Sequence, residues 1–253
     1  MVQSAKEKPP VFFKNGPLFP TVHQIQDRLS PICTFLPMDK SFSVISVPVY
    51  SASEISNGLL EVMYNNFNEE IINGHTYPQY EPYDSIEDFK NYWFHSFTCI
   101  LLKKDNSYTE VTDFIKREDI TNWEDFYLGS FYIKPNYVGR CSHVCNAGFF
   151  IPSKYRGLKI SYRLGQLYLQ YAPKLGYSQS IYNLVYVNNI GSWKTWEKLK
   201  FKRIGTIPNV AVAGKSQVAV SSSGYAQYEY EYTDAYIYSK NLLEIEDDIF
   251  NDM

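Results

Sequence analysis

The apolar positions along the chain change period several times, and each change marks an element. From Phe42 to Tyr50, β-branched and aromatic residues dominate, which predicts a strand. With Ser51 or Ser53 as N-cap, Ile55, Leu59, Val62, Met63, Phe67 and Ile71 then recur at helical spacing until Gly74. A second, shorter helix starts at Asp84 and runs through Trp93, followed by an apolar strand from Phe97 to Leu102. Polar residues 103–123 read as a connection, Phe126 to Ile133 as a strand running into Pro135, and Ser142 to Ile151 as the next strand. A helix with Ile160, Leu164, Leu167 and Tyr171 on one face follows and stops at Pro173. Ser180 to Val187 predicts a strand and Ser192 to Leu199 a short helix. Phe201 to Thr206 and Tyr228 to Tyr238 close the series as strands.

The order β-α-α-β-β-β-α-β-α-β-β is mixed α/β with a βαβ unit at its centre. Its parallel pair, 142–151 and 180–187, should open at the carboxyl ends of the strands, where such sheets bind ligands. Residues 1–40 carry Pro9, Pro10, Pro17, Pro20, Pro31 and Pro37 and read as an irregular arm, packed by Phe12, Phe13 and Phe19. The domain itself is expected over 41–243, with a long loop or loose hairpin within 207–233 where Gly, Ser and Ala accumulate. Residues 244–253 read as a solvated acidic tail.

Composition narrows the function classes. With 24 Lys+Arg against 27 Asp+Glu the formal charge is −3, and no basic block is present, so nucleic-acid binding is not expected. No apolar run approaches a membrane span, and residues 1–10 do not resemble a signal peptide. Four cysteines in 253 residues are too sparse for a disulfide framework. A soluble intracellular protein is expected, cytoplasmic, with mitochondria as a second compartment. The 17% aromatic content, 23 tyrosines included, points to a sheet-rich core with amphipathic pockets.

The chemistry concentrates after the fourth predicted strand, where Arg156, Gly157, Leu158, Lys159, Ile160 and Ser161 lead into a helix. Free backbone N–H groups and the helix dipole can hold a pyrophosphate there, although an ordinary strand-to-helix turn with a solvated basic pair has the same sequence. The segment resembles the Arg/Gln-x-x-Gly-x-Gly/Ala loop of the Gcn5-related N-acetyltransferase (GNAT) superfamily, with Lys159 and Ser161 replacing two small residues. Asn189, Ser192, Trp196 and Phe201 are similarly in register with that superfamily's Asn-x-x-Ala-x-x-x-Tyr-x-x-x-Gly-Phe run. Asn91 to Phe97, Gly129 to Phe149 and Tyr182 to Val187 are similar to the fungal N-acetyltransferases that detoxify azetidine-2-carboxylate, a four-membered proline analogue.

The resemblance implies acetyl-CoA as cosubstrate, no metal, and a small imino or amino acid as acceptor. It implies Asn146 and Asn183 as substrate-site residues, Asn189, Ser192 and Trp196 in the coenzyme region, and Phe149, Phe150 and Ile151 beside the pantetheine arm. An amide offers a donor and an acceptor in fixed geometry, which suits an imino acid, while an isolated asparagine serves equally well in a turn or at a strand edge. Trp196 stands where many superfamily members have a tyrosine that protonates the departing thiolate, and indole cannot do so. Cys141, His143 and Cys145 alternate, so on a regular strand they share a face at roughly 7 Å spacing, but no fourth zinc ligand is evident. His143 is also a candidate general base, since imidazole titrates near neutrality, or simply a hydrogen-bonded strand residue. The alternatives are acetylation of a primary amine on an amino acid, polyamine or peptide, and a coenzyme-binding module without turnover. A homodimer is expected from the family likeness.

Overall fold

The computed structural model describes residues 28–105, 110–220 and 226–253, with the backbone alone over 213–220 and 226–230. The expected arm falls largely outside these residues, as do Phe12, Phe13 and Phe19.

Eight strands form one sheet in the order β1-β2-β3-β4-β5-β6-β8-β7. They are β1 (Ile32–Phe35), β2 (Ser43–Val49), β3 (Phe97–Lys103), β4 (Tyr127–Pro135), β5 (Val144–Phe150), β6 (Gln179–Tyr186), β7 (Lys202–Val220) and β8 (Ala226–Asn241). Every described neighbour pair is antiparallel except β5 with β6. The edge strand β1 fits between Pro31 and Pro37, so the proline density of the arm limits a strand's length without preventing one.

The helices are α1 (Asn57–Asn73), α2 (Ile86–Trp93), α3 (Val111–Phe114), α4 (Trp123–Phe126), α5 (Ile160–Lys174) and α6 (Ile190–Lys198). Ser56 caps α1, its hydroxyl accepting from Leu59 N, whereas Ser51 caps a preceding short 3-10 turn. Gly74 ends α1 at φ +71°, the left-handed conformation expected of a C-terminal glycine. Two apolar clusters cover the sheet. On one face Leu59, Met63, Phe67 and Ile71 of α1 meet Phe89 and Trp93 of α2; on the other, Leu164, Leu167 and Tyr168 of α5 pack on Phe131 and Phe149. Gly148 of β5 lies under the Tyr132 ring, where a Cβ would come within 2.5 Å of that ring.

Of the two forms expected within 207–233, the described residues take the hairpin, formed by β7 and β8, whose ladder shifts register where Pro208 cannot donate and Asn209 adopts φ +49°. Two expectations change. Residues 244–253 are not a solvated tail: Ile249 is buried, and Gln166 and the wholly buried Arg163 of α5 donate to Ile249 O and Asp252 O at 2.5 and 2.7 Å. The acidic composition hides an apolar anchor and two acceptors that α5 requires. Finally, Cys141 belongs to a 3-10 turn and β5 starts only at Val144, so Cys141, His143 and Cys145 do not share a strand face.

Two predictions follow from this packing. Gly148→Ala drives a methyl into the Tyr132 ring and should cost about 1–3 kcal/mol, lowering the melting temperature by about 2–4 °C per kcal/mol in a thermal scan. His95 packs edge-on to Tyr132, and burial pulls its pKa from 6.5 to about 4. Below pH 6.5 the unfolded chain takes up a proton that the folded chain refuses, so this stability is complete above that pH and is lost as the pH falls toward 4. Urea midpoints at about pH 7 and about pH 5 should therefore fall more for the native protein than for His95→Asn.

Candidate active site

The parallel pair is short. Val144 aligns with Gln179 and Cys145 with Ser180, and beyond them β5 and β6 diverge. Tyr168 of α5 fastens the last pair, its hydroxyl lying 3.0 Å from Cys145 Sγ and donating to Ser180 Oγ at 2.7 Å. Burial pushes the Cys145 thiol up to about 12 and the Tyr168 phenol well above its usual range, so both remain protonated. Among the described residues, no strand consequently pairs with Ala147 to Ile151 on its β6 side.

The divergence opens a cavity of about 610 Å³. It brings together Asn146, Asn183, Phe149, Phe150, Ile151, Arg156, Gly157, Lys159, Ile160, Ser161, Asn189, Ser192 and Trp196. Leu158 and His143 are not in its wall. His143 precedes β5 at the paired end of the strands, where its carbonyl accepts from Ser178 N and Gln179 N. Nothing in this placement brings its imidazole to the opening.

On the α1 and α2 side lies an amide cluster. Asn136, just past β4, accepts at Oδ1 from Asn146 Nδ2 at 2.9 Å and from Asn183 Nδ2 at 2.6 Å. Its own backbone N–H donates to Val144 O, which holds the turn against β5. Sequence reasoning missed Asn136 because an asparagine after proline reads as a turn residue; the signal available was its place nine residues before the Cys145–Asn146 pair at the other end of a hairpin. Tyr92 and Tyr132 wall this side with their hydroxyls 3.2 Å apart, and burial raises both phenols. Tyr77, from the segment between α1 and α2, donates to Phe149 O at 2.8 Å.

The other end is the loop before α5. Gly157 at φ +88° and Lys159 at φ +57° turn the chain, and a Cβ on Gly157 would meet nothing within 4 Å. Among the described hydrogen bonds, none engages the backbone N–H groups of Gly157 to Ser161. Unspent amides at a helix start, with Lys159 alongside, form a donor set that fits a pyrophosphate, and the strand-free flank of β5 fits an amide-bearing arm such as pantetheine. Arg156 is ion-paired with Glu70, a buried carboxylate of α1 that also accepts from Thr76 Oγ1. Asn189 caps α6, accepting from Ser192 N at 3.2 Å, and Trp196 Nε1 donates to Ser192 Oγ at 3.1 Å. Ser161 and Thr195 hydroxyls, 3.1 Å apart, join the start of α5 to the middle of α6. Among the described residues no group of three His, Cys, Asp or Glu could hold a metal ion, and no helix is long and apolar enough to cross a membrane.

No family model matches the chain. It is similar to N-acetyltransferase aca1 of Schizosaccharomyces pombe, at 32% identity over 208 residues, covering 81% of this chain and 92% of that protein. Among solved structures it is similar to a GCN5-related N-acetyltransferase from Kribbella flavida, with TM-score 0.56 and 19% identity over 78% of this chain and 97% of that one. It is also similar to yncA of Salmonella typhimurium, an acetyltransferase solved with acetyl-CoA, with TM-score 0.53 and 8% identity over 79% of this chain and 96% of that one. The strand-and-helix order is thus the one these structures share, and the identity to the yeast enzyme extends over nearly its whole length. The chain belongs to the Gcn5-related N-acetyltransferase superfamily, whose enzymes use acetyl-CoA as acetyl donor.

Proposed function

We propose that this protein transfers the acetyl group of acetyl-CoA to the ring nitrogen of a small cyclic imino acid, azetidine-2-carboxylate or a proline relative, and so detoxifies it. The observation that carries the reading is the Asn136–Asn146–Asn183 cluster at the mouth of the strand divergence. Asn136 takes one N–H from each neighbouring amide, which fixes both planes and leaves Asn146 its carbonyl oxygen and second N–H for a ligand. The tyrosine wall restricts this side to a compact acceptor and keeps water from it. Acetyl-CoA, when bound, supplies an activated acyl group as a thioester. The amides of Gly157 to Ser161, with Lys159, hold its pyrophosphate, while Asn189 and Ser192 fix the start of α6 beside it. Trp196 lends apolar surface, not an acid.

A homodimer belongs to the same reading. From Ala226 to Thr233, β8 pairs with β7 alone among the described residues, and the cross-strand pair Val212 and Tyr232 is exposed on that ribbon at 40% and 61%. An uncovered apolar ribbon invites a second copy. Light scattering should give twice the chain mass, and the monomer mass removes this part of the proposal.

Acetyl transfer to azetidine-2-carboxylate, spermidine and a short peptide, measured side by side, tests the main reading. Turnover only with spermidine or the peptide would favour the primary-amine alternative; coenzyme A binding without thiol release on any amine would mean a module without turnover. Asn146→Ala and Asn183→Ala should each lower kcat/KM by about a hundredfold with coenzyme affinity and melting temperature kept. Asn136→Ala, which only unfixes the other two, should cost about tenfold. For the coenzyme end, Lys159→Ala should weaken coenzyme A binding and flatten its salt dependence in titration calorimetry. Arg156→Ala and Glu70→Ala should prove non-additive in melting temperature, since each removes the same ion pair.

A further inference from the structure

Tyr77 links the acceptor side of the cavity to the strand flank on which the pantetheine arm is proposed to lie, and it lines the cavity with Asn146, Phe149 and Asn183. The direction of the carbonyls shows where its hydroxyl stands. His143 O accepts from Ser178 N and Gln179 N on the β6 side, and Val144 O accepts from Asn136 N on the β4 side. Continued along β5, this alternation turns the Phe149 carbonyl toward β6 and the Phe150 carbonyl toward β4, where a Cβ on Gly129 would come within 2.7 Å of Phe150 O. Beyond Cys145 the β6 side is the gap, so Phe149 O points into the gap and a hydroxyl 2.8 Å from it stands there too. The ring reaches this point edge-on to Phe67, with centroids 4.6 Å apart, and 6.3 Å from Trp93. Packing thus fixes the ring, and the carbonyl fixes the hydrogen. A carbonyl oxygen only accepts, so the phenol proton is committed to Phe149 O, and the phenol oxygen keeps only lone pairs for a ligand. Burial pushes the phenol well above its usual range, so it stays protonated.

We infer that Tyr77 is a catalytic residue of the acetyl transfer: its oxygen accepts the N–H of the acceptor nitrogen and so aims the nitrogen lone pair at the thioester. This rests on the proposed transfer to an amino or imino acid and adds the group that orients the nucleophile. A neutral secondary amine has one N–H and one lone pair, so a single acceptor at the N–H fixes where the pair points. An oxygen with no hydrogen to give offers nothing to the substrate carboxylate or to the thioester oxygen, which leaves the nitrogen as the atom it selects. The lone pair forms the N–C bond, the C–S bond breaks with its electrons on sulfur as coenzyme A thiolate, and the N–H proton passes to water. Tyr77 takes no proton, because a phenol that keeps its own is too weak a base; it binds and orients.

Tyr77→Phe keeps the ring and removes the hydroxyl. Binding is measured by titration calorimetry in the presence of coenzyme A, which has no acetyl group to transfer, with matched pairs in which carbon replaces the nitrogen: azetidine-2-carboxylate with cyclobutanecarboxylate, and glycine with propionate. The native protein should bind the amine of a pair more tightly, and Tyr77→Phe should reduce that ratio by about tenfold while the affinity for the carbon isostere is unchanged. In turnover, kcat should fall by about tenfold to a hundredfold with coenzyme A affinity kept. A tyrosine that merely ties its segment to β5 would weaken both members of a pair alike and lower the melting temperature. That result, an unchanged ratio in Tyr77→Phe, or a native protein that binds the amine no better than its isostere would overturn the inference. A ratio that falls for glycine, while azetidine-2-carboxylate neither binds nor reacts, would uphold Tyr77 and remove the cyclic imino acid.

Discussion

The candidate site of this molecule depends on two parallel strands parting after two residue pairs. Tyr168 marks where they part: a buried phenol bonds Cys145 on one strand and Ser180 on the other, and the ladder goes no further. A longer ladder would close the cavity. A shorter one would leave β6, and with it β8 and β7, joined to the rest of the sheet by little more than α5. The polar clasp sits in the apolar core, where a hydrogen-bonded network is costly to break and so fixes a single geometry.

The opening has two unlike sides, and the sheet separates them by strand alternation. Asn146 and Gly148 face α1 and α2, while Ala147 and Phe149 face α5. Phe150 again joins the α1 cluster, so each step along β5 changes sides. The amides and tyrosines thereby gather on one side and the loop before α5 on the other. Glu70 and Arg156 bridge the two, since the carboxylate belongs to α1 and the guanidinium to the loop. The carboxylate is buried and the guanidinium half exposed, so the pair secures α1 more than it serves as a surface contact.

Much of this was legible from periodicity. The strand, loop, helix and strand from β5 to β6 follow from apolar spacing, and Asn146 and Asn183 then fall at one end of the pair. What could not be read was long-range or masked by composition. Arg156 looked free because its partner is 86 residues away. The small side chains of 211–226 left loop and hairpin both open, since a two-stranded ladder asks only for regular backbone pairing. Residues 244–253 read as solvated because charge outnumbers the four apolar side chains, Ile245, Ile249, Phe250 and Met253, that seat the segment against the cluster of α5. His143 lies at the paired end of β5 and β6, outside the wall of the cavity, a placement that follows from where the strands part and not from the local sequence.

The central claim is that donor and acceptor meet in the gap beyond Cys145 and Ser180. A crystal structure with coenzyme A and an unreactive imino acid analogue measures it directly. The account predicts the pyrophosphate on the amides of Gly157 to Ser161, the thiol between β5 and β6, and the ring within hydrogen-bond reach of Asn146 and Asn183. Coenzyme bound elsewhere, or an analogue seated away from both asparagines, would contradict it.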